Sequence, residues 1–279
     1  MKKALVVAGH EFARLLRRGW VLASAAAMAL LVLALSATRA ASGLAPGFSG
    51  GYGSSLSSLV LLLSSLSGAL VAALSFAEDG GGGMADLLRS FGLGDRRFLL
   101  GKYAGILAAI AGAAIVGLLV SFAASGIAGI VPLRGGSGEI KALATLVATA
   151  AATSAVYAAW GALFGSASRT VLGAAGSALA FWFVTLFLYE AIGWILFPAL
   201  PYRVAKPALA LFLAIDPAEA LRLGSDFLGN HGAALGPEFY HWQSFFLGLP
   251  GIVAAIALLS AHLAFPLALA ARRNRKASR

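Results

Sequence analysis

The first stretch whose residue types suggest chemistry is a run of four glycines at 80–83, directly after an acidic pair. Glycine-rich turns hold nucleotide phosphates in the dinucleotide-binding motif and in the P-loop. The run matches G-x-G-x-x-A by count, but long apolar stretches surround it where the motif requires a βαβ unit. The later Gly101-Lys102 pair lacks a P-loop's first glycine and final Ser/Thr, since Arg96 and Tyr103 stand there. We therefore predict that the chain has no nucleotide site here.

Two titratable side chains, Glu190 and His262, lie inside long apolar stretches. A charged group in lipid is costly unless it is paired or close to the interface. Two roles stay open for Glu190: a structural pair or contact with water, and the handling of a proton or substrate. For His262 we favour a hydrogen bond to a neighbouring helix.

A metal site or a catalytic site has little support in the sequence. The polar residues of the last long loop match no metal-binding spacing, and loop polarity explains them equally well: Asp226, His231, Glu238 and His241. The chain has no cysteine and only three methionines, which argues against thiolate sites and against a copper path through thioethers. No nucleophile–base arrangement occurs. We expect no catalytic residue, no metal ligand and no cofactor bound by this chain.

The elements that position these residues are apolar runs. Hydrophobic residues make up 60% of the 279 positions and charged residues only 11%, against about 25% charged in a soluble domain. Six runs reach the roughly 20 residues that cross a bilayer: 20–38, 56–77, 103–131, 142–165, 170–197 and 245–271. We predict an all-α polytopic membrane protein with a single transmembrane domain, 1–279. Within it, Gly161 and Gly165 favour close helix packing inside the bundle over a dimer motif.

Lysine and arginine set the predicted orientation. Fifteen lie at the two ends of the chain and in the loops after the second and fourth runs, and six lie on the other side. Positive charge is enriched in cytoplasmic segments. Both termini are therefore predicted to be cytoplasmic, in a bacterial inner membrane, and the net charge of +10 needs no nucleic acid as partner.

Residues 1–19 are predicted to form a helix in the membrane interface, and not a cleavable signal, because the charged region is too long. Helical spacing separates an apolar face from a charged one: Leu5, Ala8, Phe12 and Leu15 against Glu11, Arg14 and Arg18. An apolar face of this kind suits a helix lying in the interface. A plain cytoplasmic helix is the alternative that we favour less.

Residues 78–102 form the loop between the second and third runs. The glycines break the helix, and a short amphipathic helix follows, with Met84, Leu87, Leu88 and Phe91 on one side and Asp86 and Arg89 on the other. Such a helix can fill a groove on a soluble partner. An interfacial helix without a partner is equally compatible with these residues.

The longest outer connection, 198–244, contains the signals of a second short helix. Asp216 suits the N-cap, Pro217 the first helical position, and Glu219 can close a capping box. We predict a helix over 217–228 with one apolar face, formed by Ala220, Leu223 and Phe227. The segment is expected to be re-entrant or to lie in the outer interface, with aromatic anchors at Tyr202, Tyr240 and Trp242.

The loop at 78–102 resembles that of type-2 ABC transporter permeases, which reads approximately E-x-x-x-G-T-L-E-L-L-L-S-Y-P-x-x-R and ends in L-G-K. The matching positions are Glu78, Gly83, Leu87, Leu88, Ser90, Leu100, Gly101 and Lys102, with Asp86 and Phe91 as conservative replacements. Gly92 replaces the proline and Asp95 the arginine, which Arg96 can supply one place later. The resemblance implies the ABC-2 fold of type V exporters and a coupling helix that contacts an ATPase through Gly83, Met84, Asp86, Leu87, Leu88, Arg89, Ser90, Phe91 and Arg96.

"LFLAIDPAEALRL" at 211–223 is similar to the L-N-P-x-x-x-F-R-L segment of one subgroup, the NosY-like permeases of nitrous-oxide-reductase maturation. Pro217, Arg222 and Leu223 match, while Asp216 replaces asparagine and Leu221 replaces phenylalanine. This resemblance implies contact with a periplasmic accessory protein through Asp216, Pro217, Glu219 and Arg222.

The function implied is that of a membrane subunit, not an enzyme. It would form a homodimer with two ATPase subunits, which bind ATP and magnesium, and would transmit ATP-driven motion across the lipid bilayer, in the Nos subgroup for copper-site maturation. An ordinary ABC-2 exporter of a lipid, drug or ion is one alternative. A proton-coupled secondary transporter centred on Glu190 and His262 is an alternative of another class.

Overall fold

The computed structural model describes residues 2–42, 51–81, 94–128, 137–196, 215–228 and 248–276, together with 199–201, 203–204, 208 and 212. These parts of the chain are helical and contain no strand. The helices are α1 (Lys2–Arg17), α2 (Trp20–Ala41), α3 (Gly51–Gly81), α4 (Asp95–Ile127), α5 (Ser137–Ala167), α6 (Val171–Phe183), α7 (Tyr189–Leu196), α8 (Pro217–Leu228) and α9 (Leu249–Lys276). A π-helical turn, Val184–Leu188, joins α6 to α7, so that these elements form one continuous rod.

Six of the rods are long and apolar enough to cross a membrane: α2, α3, α4, α5, the α6–α7 rod and α9. Their number and order confirm the prediction from the apolar runs. The helices extend beyond several of those runs, since α3 covers Gly51–Gly81 where the sequence predicts 56–77. Charged residues at 78–79 end the apolar run but not the helix, because they find partners in neighbouring helices.

Successive spans run in opposite directions, which gives the bundle two distinct ends. At one end, here called the terminal end, α1 meets the end of α3, and Arg273 of α9 donates to the carbonyl of Ala167, 3.4 Å away. At the other end, here called the far end, Ser225 of α8 bonds with Ser57 of α3.

The centre of the bundle is the pair α3 and α5, which run parallel to each other. Glycines allow the two backbones to touch: a Cβ on Gly68 would lie 2.9 Å from the carbonyl oxygen of Ser154, and one on Gly161 would lie 3.0 Å from the Cβ of Ala72. Gly165 meets α3 in the same way, against Ala73 and Phe76. The prediction that Gly161 and Gly165 serve packing within the bundle is confirmed.

The outer rods present large apolar side chains at the surface, as expected of helices in contact with lipid. The α6–α7 rod and α9 are the most exposed, with 11% and 6% of their apolar windows buried. Their exposed residues include Leu172, Phe183, Ile195, Val253 and Phe265.

The N-terminal helix α1 lies against α4 with its charged face inward. Glu11 is buried and Arg14 half-buried, whereas Leu5 and Leu16 are exposed. The exposed apolar face agrees with a helix in the interface. The charged face turns to the protein because in lipid it is the polar face that needs protein partners, and Leu15 of the predicted apolar face is buried with it.

Candidate functional site

The terminal end contains a buried polar network that joins three helices: Glu11 and Arg14 of α1, Ser75 and Asp79 of α3, and Lys102 of α4. Of these side chains, Lys102 is 0% and Glu11 3% exposed. Buried charges are stable only when they are paired and hydrogen-bonded. The two carboxylates and the two cations balance each other, which accounts for a charged cluster at the end of an apolar bundle.

Arg14 is the centre of this network. Its guanidinium donates to Asp79 at 2.9 Å, to Glu11 at 2.7 Å and to the hydroxyl of Ser75 at 2.7 Å. Ser75 in turn donates to Glu11 at 2.5 Å. Burial alone would lower the pKa of Arg14, but the hydrogen bonds and charges of Glu11 and Asp79 outweigh it and raise the pKa above its usual value. Arg14 therefore stays charged.

Lys102 connects α4 to α3. Its Nζ donates to Asp79 and to the backbone carbonyl of Ser75, the latter at 2.7 Å. The ammonium also lies 4.9 Å from the ring centroid of Phe76, a cation–π distance. A second pair, Arg18 with Glu78, ties the end of α1 to the end of α3 nearer the surface.

Glycines let α1 approach α4 closely enough for this network to form. A Cβ on Gly101 would lie 2.6 Å from the carbonyl oxygen of Ala4, and one on Gly105 would lie 2.9 Å from the Cβ of Glu11. Real Cβ atoms do not come this close, so both positions require glycine. After α1 the chain turns at Gly19, whose φ of 75° is in the left-handed region that favours glycine.

The network lies at both flanks of the predicted coupling loop. Asp79 is two residues before the end of α3 and Lys102 is in the second turn of α4. The predicted contact residues Gly83, Met84, Asp86, Leu87, Leu88, Arg89, Ser90 and Phe91 lie outside the described residues. Arg96 is described, and it is exposed in the first turn of α4.

Sequence reasoning missed the network because most of its bonds join different helices; Arg14 and Asp79, for example, are 65 positions apart. A signal was present: Lys102 and Asp79 are charged residues at the edges of apolar runs, where each needs a partner. The sequence alone predicts Lys102 to be one of several basic loop residues. The structure instead places it fully inside the bundle.

The far end contains a second group, here called the carboxyl cluster: Asp216, Glu219 and Arg222 around the start of α8, and Glu190 of α7. Arg222 donates to one oxygen of Glu219 through Nε at 3.2 Å and Nη2 at 2.8 Å. The same Nη2 lies 3.8 Å from Glu190. Glu190 thus has an ionic partner, which favours the structural pair among its two open roles.

The helix start is as predicted, with one difference. Helix α8 covers Pro217–Leu228, and the carboxylate of Asp216 accepts a hydrogen bond from the amide of Ala218 at 2.9 Å. Asp216 is therefore the N-cap. The capping box does not close, because Glu219 binds Arg222 and the amide of Asp216 donates to the carbonyl of Phe212 at 3.3 Å.

Helix α8 is inserted into the bundle at its first turn, which agrees with the re-entrant alternative. Asp216, Pro217 and Glu219 are buried, and only Arg222 of the four predicted outer-partner contacts is partly exposed. Contact of the buried three with a partner stays a prediction, and it requires α8 to move outward. The predicted anchors Tyr202, Tyr240 and Trp242 lie outside the described residues, as do His231, Glu238 and His241.

The π-helical turn shapes the wall beside this cluster. Thr185, in the turn, donates to the carbonyl of Phe181 at 3.0 Å and bonds with the hydroxyl of Tyr157 at 2.9 Å. A π turn adds one residue to the helical repeat and changes the direction of the side chains after it, here Tyr189 and Glu190.

His262 of α9 is half-buried. Among the described residues there is no group of three or more His, Cys, Asp or Glu placed to hold a metal.

Comparison with known proteins adds no identification. No family model matches the sequence, and no curated protein matches it. The resemblance to ABC-2 permeases rests on the two short segments and on the layout of the spans.

Proposed function

We propose that this chain is the transmembrane permease subunit of an ABC-2 type transporter, which couples ATP hydrolysis by a separate ATPase subunit to a conformational change across the membrane. The single observation that supports this proposal most is the buried network at the terminal end. It ties α1 to both flanks of the loop that carries the coupling-helix pattern. A push on that loop would reach α1, α3 and α4 together.

The chemistry of the network suits transmission of force. Side chains held by several charge-assisted hydrogen bonds in a low-dielectric environment are rigid. Arg14 and Lys102 each bond to Asp79, which is two residues before the end of α3. Because α3 is also packed against α5 by backbone contact, a displacement at Asp79 would move the centre of the bundle.

The proposal includes a homodimer, two ATPase subunits and both termini in the cytoplasm of a bacterial inner membrane. It extends to the NosY-like subgroup, in which the motion serves copper-site maturation through a periplasmic accessory protein. The basis for the subgroup is the similarity of residues 211–223, now seen to contain the N-cap and first turns of α8. A chain with no cysteine and three methionines suits transmission of motion better than transport of copper.

The test is co-purification in detergent from the source membranes, with ATP hydrolysis as a second readout. Full-length tagged protein is expected to recover a P-loop ATPase. A Leu87→Asp/Leu88→Asp variant is expected to lose it, since charges would replace the apolar side of the coupling helix. Ser42→Asp, an exposed far-end position, is the matched control and is expected to retain the ATPase.

The outcomes separate the parts of the proposal. Absence of an ATPase from the unmodified chain would overturn the ABC assignment. Equal recovery with the double variant would overturn the coupling-helix assignment alone. A periplasmic β-helical protein in the same complex would support the Nos subgroup, and an ATPase without it would favour an ordinary ABC-2 exporter.

A proton-coupled secondary transporter is the second candidate, and the carboxyl cluster at the far end favours it. Such a transporter would work without any ATPase. Reconstituted vesicles with a proton gradient and no ATPase are the test: transport lost in Glu190→Gln would support this candidate.

A further inference from the structure

The first turn of α8 carries more negative charge into the bundle than the described residues around it compensate. Asp216 is 2% and Glu219 9% exposed, and Glu190 lies beside them. One cation, Arg222, contacts this group, and its guanidinium is directed to Glu219 and Glu190. Three carboxyl groups thus share one positive charge among the residues that the structure describes here.

Among the described residues, no ion pair is formed by Asp216. Its Oδ1 accepts the capping hydrogen bond from Ala218. Its Oδ2 is buried and has no hydrogen-bond partner in the described part of the chain. An unpaired, fully ionised carboxylate in such a position is among the most costly groups that a protein can bury.

Several described hydroxyl groups of the helices around α8 bond to partners other than Asp216. Tyr189 of α7 donates its hydroxyl hydrogen to the carbonyl of Phe212 at 2.9 Å. Tyr157 of α5 bonds with Thr185, whose own hydrogen goes to the carbonyl of Phe181. From α3, Ser57 bonds with Ser225. The first half of α9, 249–261, contains no titratable residue.

We propose that Asp216 binds a proton at Oδ2, and that this proton holds the first turn of α8 inside the bundle. The neutral acid keeps its capping bond through Oδ1 and removes the uncompensated charge. Loss of the proton would leave a buried carboxylate beside Glu219 and Glu190. Movement of α8 toward water would then lower the free energy of the protein. The element is therefore a proton-binding site coupled to insertion of a re-entrant helix.

The pKa of Asp216 agrees with this geometry. Burial, the hydrogen bond from Ala218 and the nearby charges together raise it to about 7: burial is the main cause and the charges of Glu219 and Glu190 add to it, while the Ala218 amide and Arg222 oppose it. An aspartate exposed to water has a pKa of about 3.9. Because the inserted state has the higher pKa, insertion is fully stable below about pH 4 and loses stability as the pH rises toward 7, with no further loss above it.

The test uses the absence of native cysteine. Ala218→Cys places a thiol at a buried position of α8, and its labelling by a water-soluble thiol reagent measures the outward movement of α8. The rate is measured from pH 5 to pH 8 in that background, and in the same background with Asp216→Asn. Asparagine keeps the capping oxygen and cannot ionise. The ratio of the two rates cancels the pH dependence of the thiol.

We expect the ratio to rise by about tenfold or more from pH 5 to pH 8 and to level off above, because ionisation changes the opening equilibrium by up to about tenfold per pH unit between the two pKa values. Ala150→Cys, buried in α5, is the matched control, and its ratio is expected to stay constant. A ratio at Ala218→Cys that does not change with pH would overturn the proposal.

A second variant and a second measurement protect the test against misfolding. Asp216→Ser also supplies a capping oxygen without a carboxyl group, and it replaces Asp216→Asn if that variant fails to fold. Infrared spectra of the parent protein are expected to show a protonated carboxyl band that disappears as the pH is raised through about 7. Absence of this band at pH 5 would overturn the proposal without any variant. The proposal holds for either function proposed above.

Discussion

At the scale of single residues, the distinguishing feature of the protein is a few charged side chains that are buried among apolar helices, away from water. Lys102 is the clearest example, since it is 0% exposed and bonds to both a carboxylate and a backbone carbonyl of α3. Removal of one partner from such a pair is more damaging than the net stabilisation by the pair suggests, because the remaining charge is left buried.

Lys102→Met is therefore expected to destabilise the protein by about 3 to 5 kcal/mol, which corresponds to a thermal midpoint lower by roughly 10 °C in detergent. Asp79→Asn added to it should restore part of the loss, because the orphaned charge is removed. Lys141→Met is the matched control, an exposed lysine of α5 whose change should stay within about 0.5 kcal/mol. Equal effects at the two lysines would contradict the network.

Arg222→Met tests the carboxyl cluster through its pH dependence. Burial raises the pKa of Glu219, and the charge and hydrogen bonds of Arg222 lower it. Without Arg222 this pKa rises further, so that Glu219 is protonated at acidic pH and is an unpaired buried anion at alkaline pH. The variant should be about 2 kcal/mol less stable than the parent at pH 8 and should approach it at pH 5.

Thermal unfolding at the two pH values is the measurement for this variant, with Arg203→Met as the control because Arg203 is exposed. A loss of stability that is the same at pH 5 and pH 8 would show that Arg222 acts through packing and not through charge.

At the scale of elements, α1 shows how a helix is fixed in place by glycines of its neighbour. A Cβ at Gly101 would lie 2.6 Å from the carbonyl oxygen of Ala4 and 3.1 Å from the Cβ of Val7. Because the atom in the way is backbone, α1 as a whole would have to shift. The bonds of Glu11 and Arg14 to α3 depend on the position of α1.

Gly101→Ala is accordingly expected to separate α1 from α4 and to expose the bond after Arg14 to trypsin, with cleavage at least about fivefold faster than in the parent. Gly112→Ala in the same helix has nothing within 4 Å of the added Cβ. It should leave α1 protected and stabilise α4 by up to about 1 kcal/mol, the helix propensity difference. Similar cleavage of both variants would contradict the role of Gly101.

The elements themselves were largely predictable and their contacts were not. A run of about 20 apolar residues must form a helix in lipid, since each backbone polar group has to bond within its own segment; the six spans follow from that rule. Helix α8 begins at Pro217 as predicted, because Asp216 and Pro217 are local start signals. The pairing of Arg14 with Asp79 and the insertion of α8 depend on distant segments, which no local pattern encodes.

At the scale of the whole molecule, two polar groups lie at opposite ends of an apolar bundle: the network of α1, α3 and α4 at the terminal end, and the carboxyl cluster around α8 at the far end. Helices α3 and α5 connect the ends through a seam of backbone contact at Gly68, Gly161 and Gly165. A bundle so closely packed shifts between discrete arrangements more readily than it deforms. Motion at the terminal end and proton binding at Asp216 would therefore act on the same closely packed bundle.

We predict the orientation of the two ends from an even number of spans and from the fifteen basic residues in the sequence segments on the side of the terminal end, and it can be tested because the chain has no native cysteine. Gly94→Cys, at the start of α4, and Ser42→Cys, after α2, are both exposed and lie at opposite ends. A membrane-impermeant thiol reagent added to intact cells should label Ser42→Cys, and should label Gly94→Cys only after permeabilisation, because the positive end is held in the cytoplasm. The reverse pattern would place the coupling loop outside the cell, away from any ATP, and would remove the basis of the ABC assignment. Labelling of both positions in intact cells would contradict the crossing of the membrane by α3.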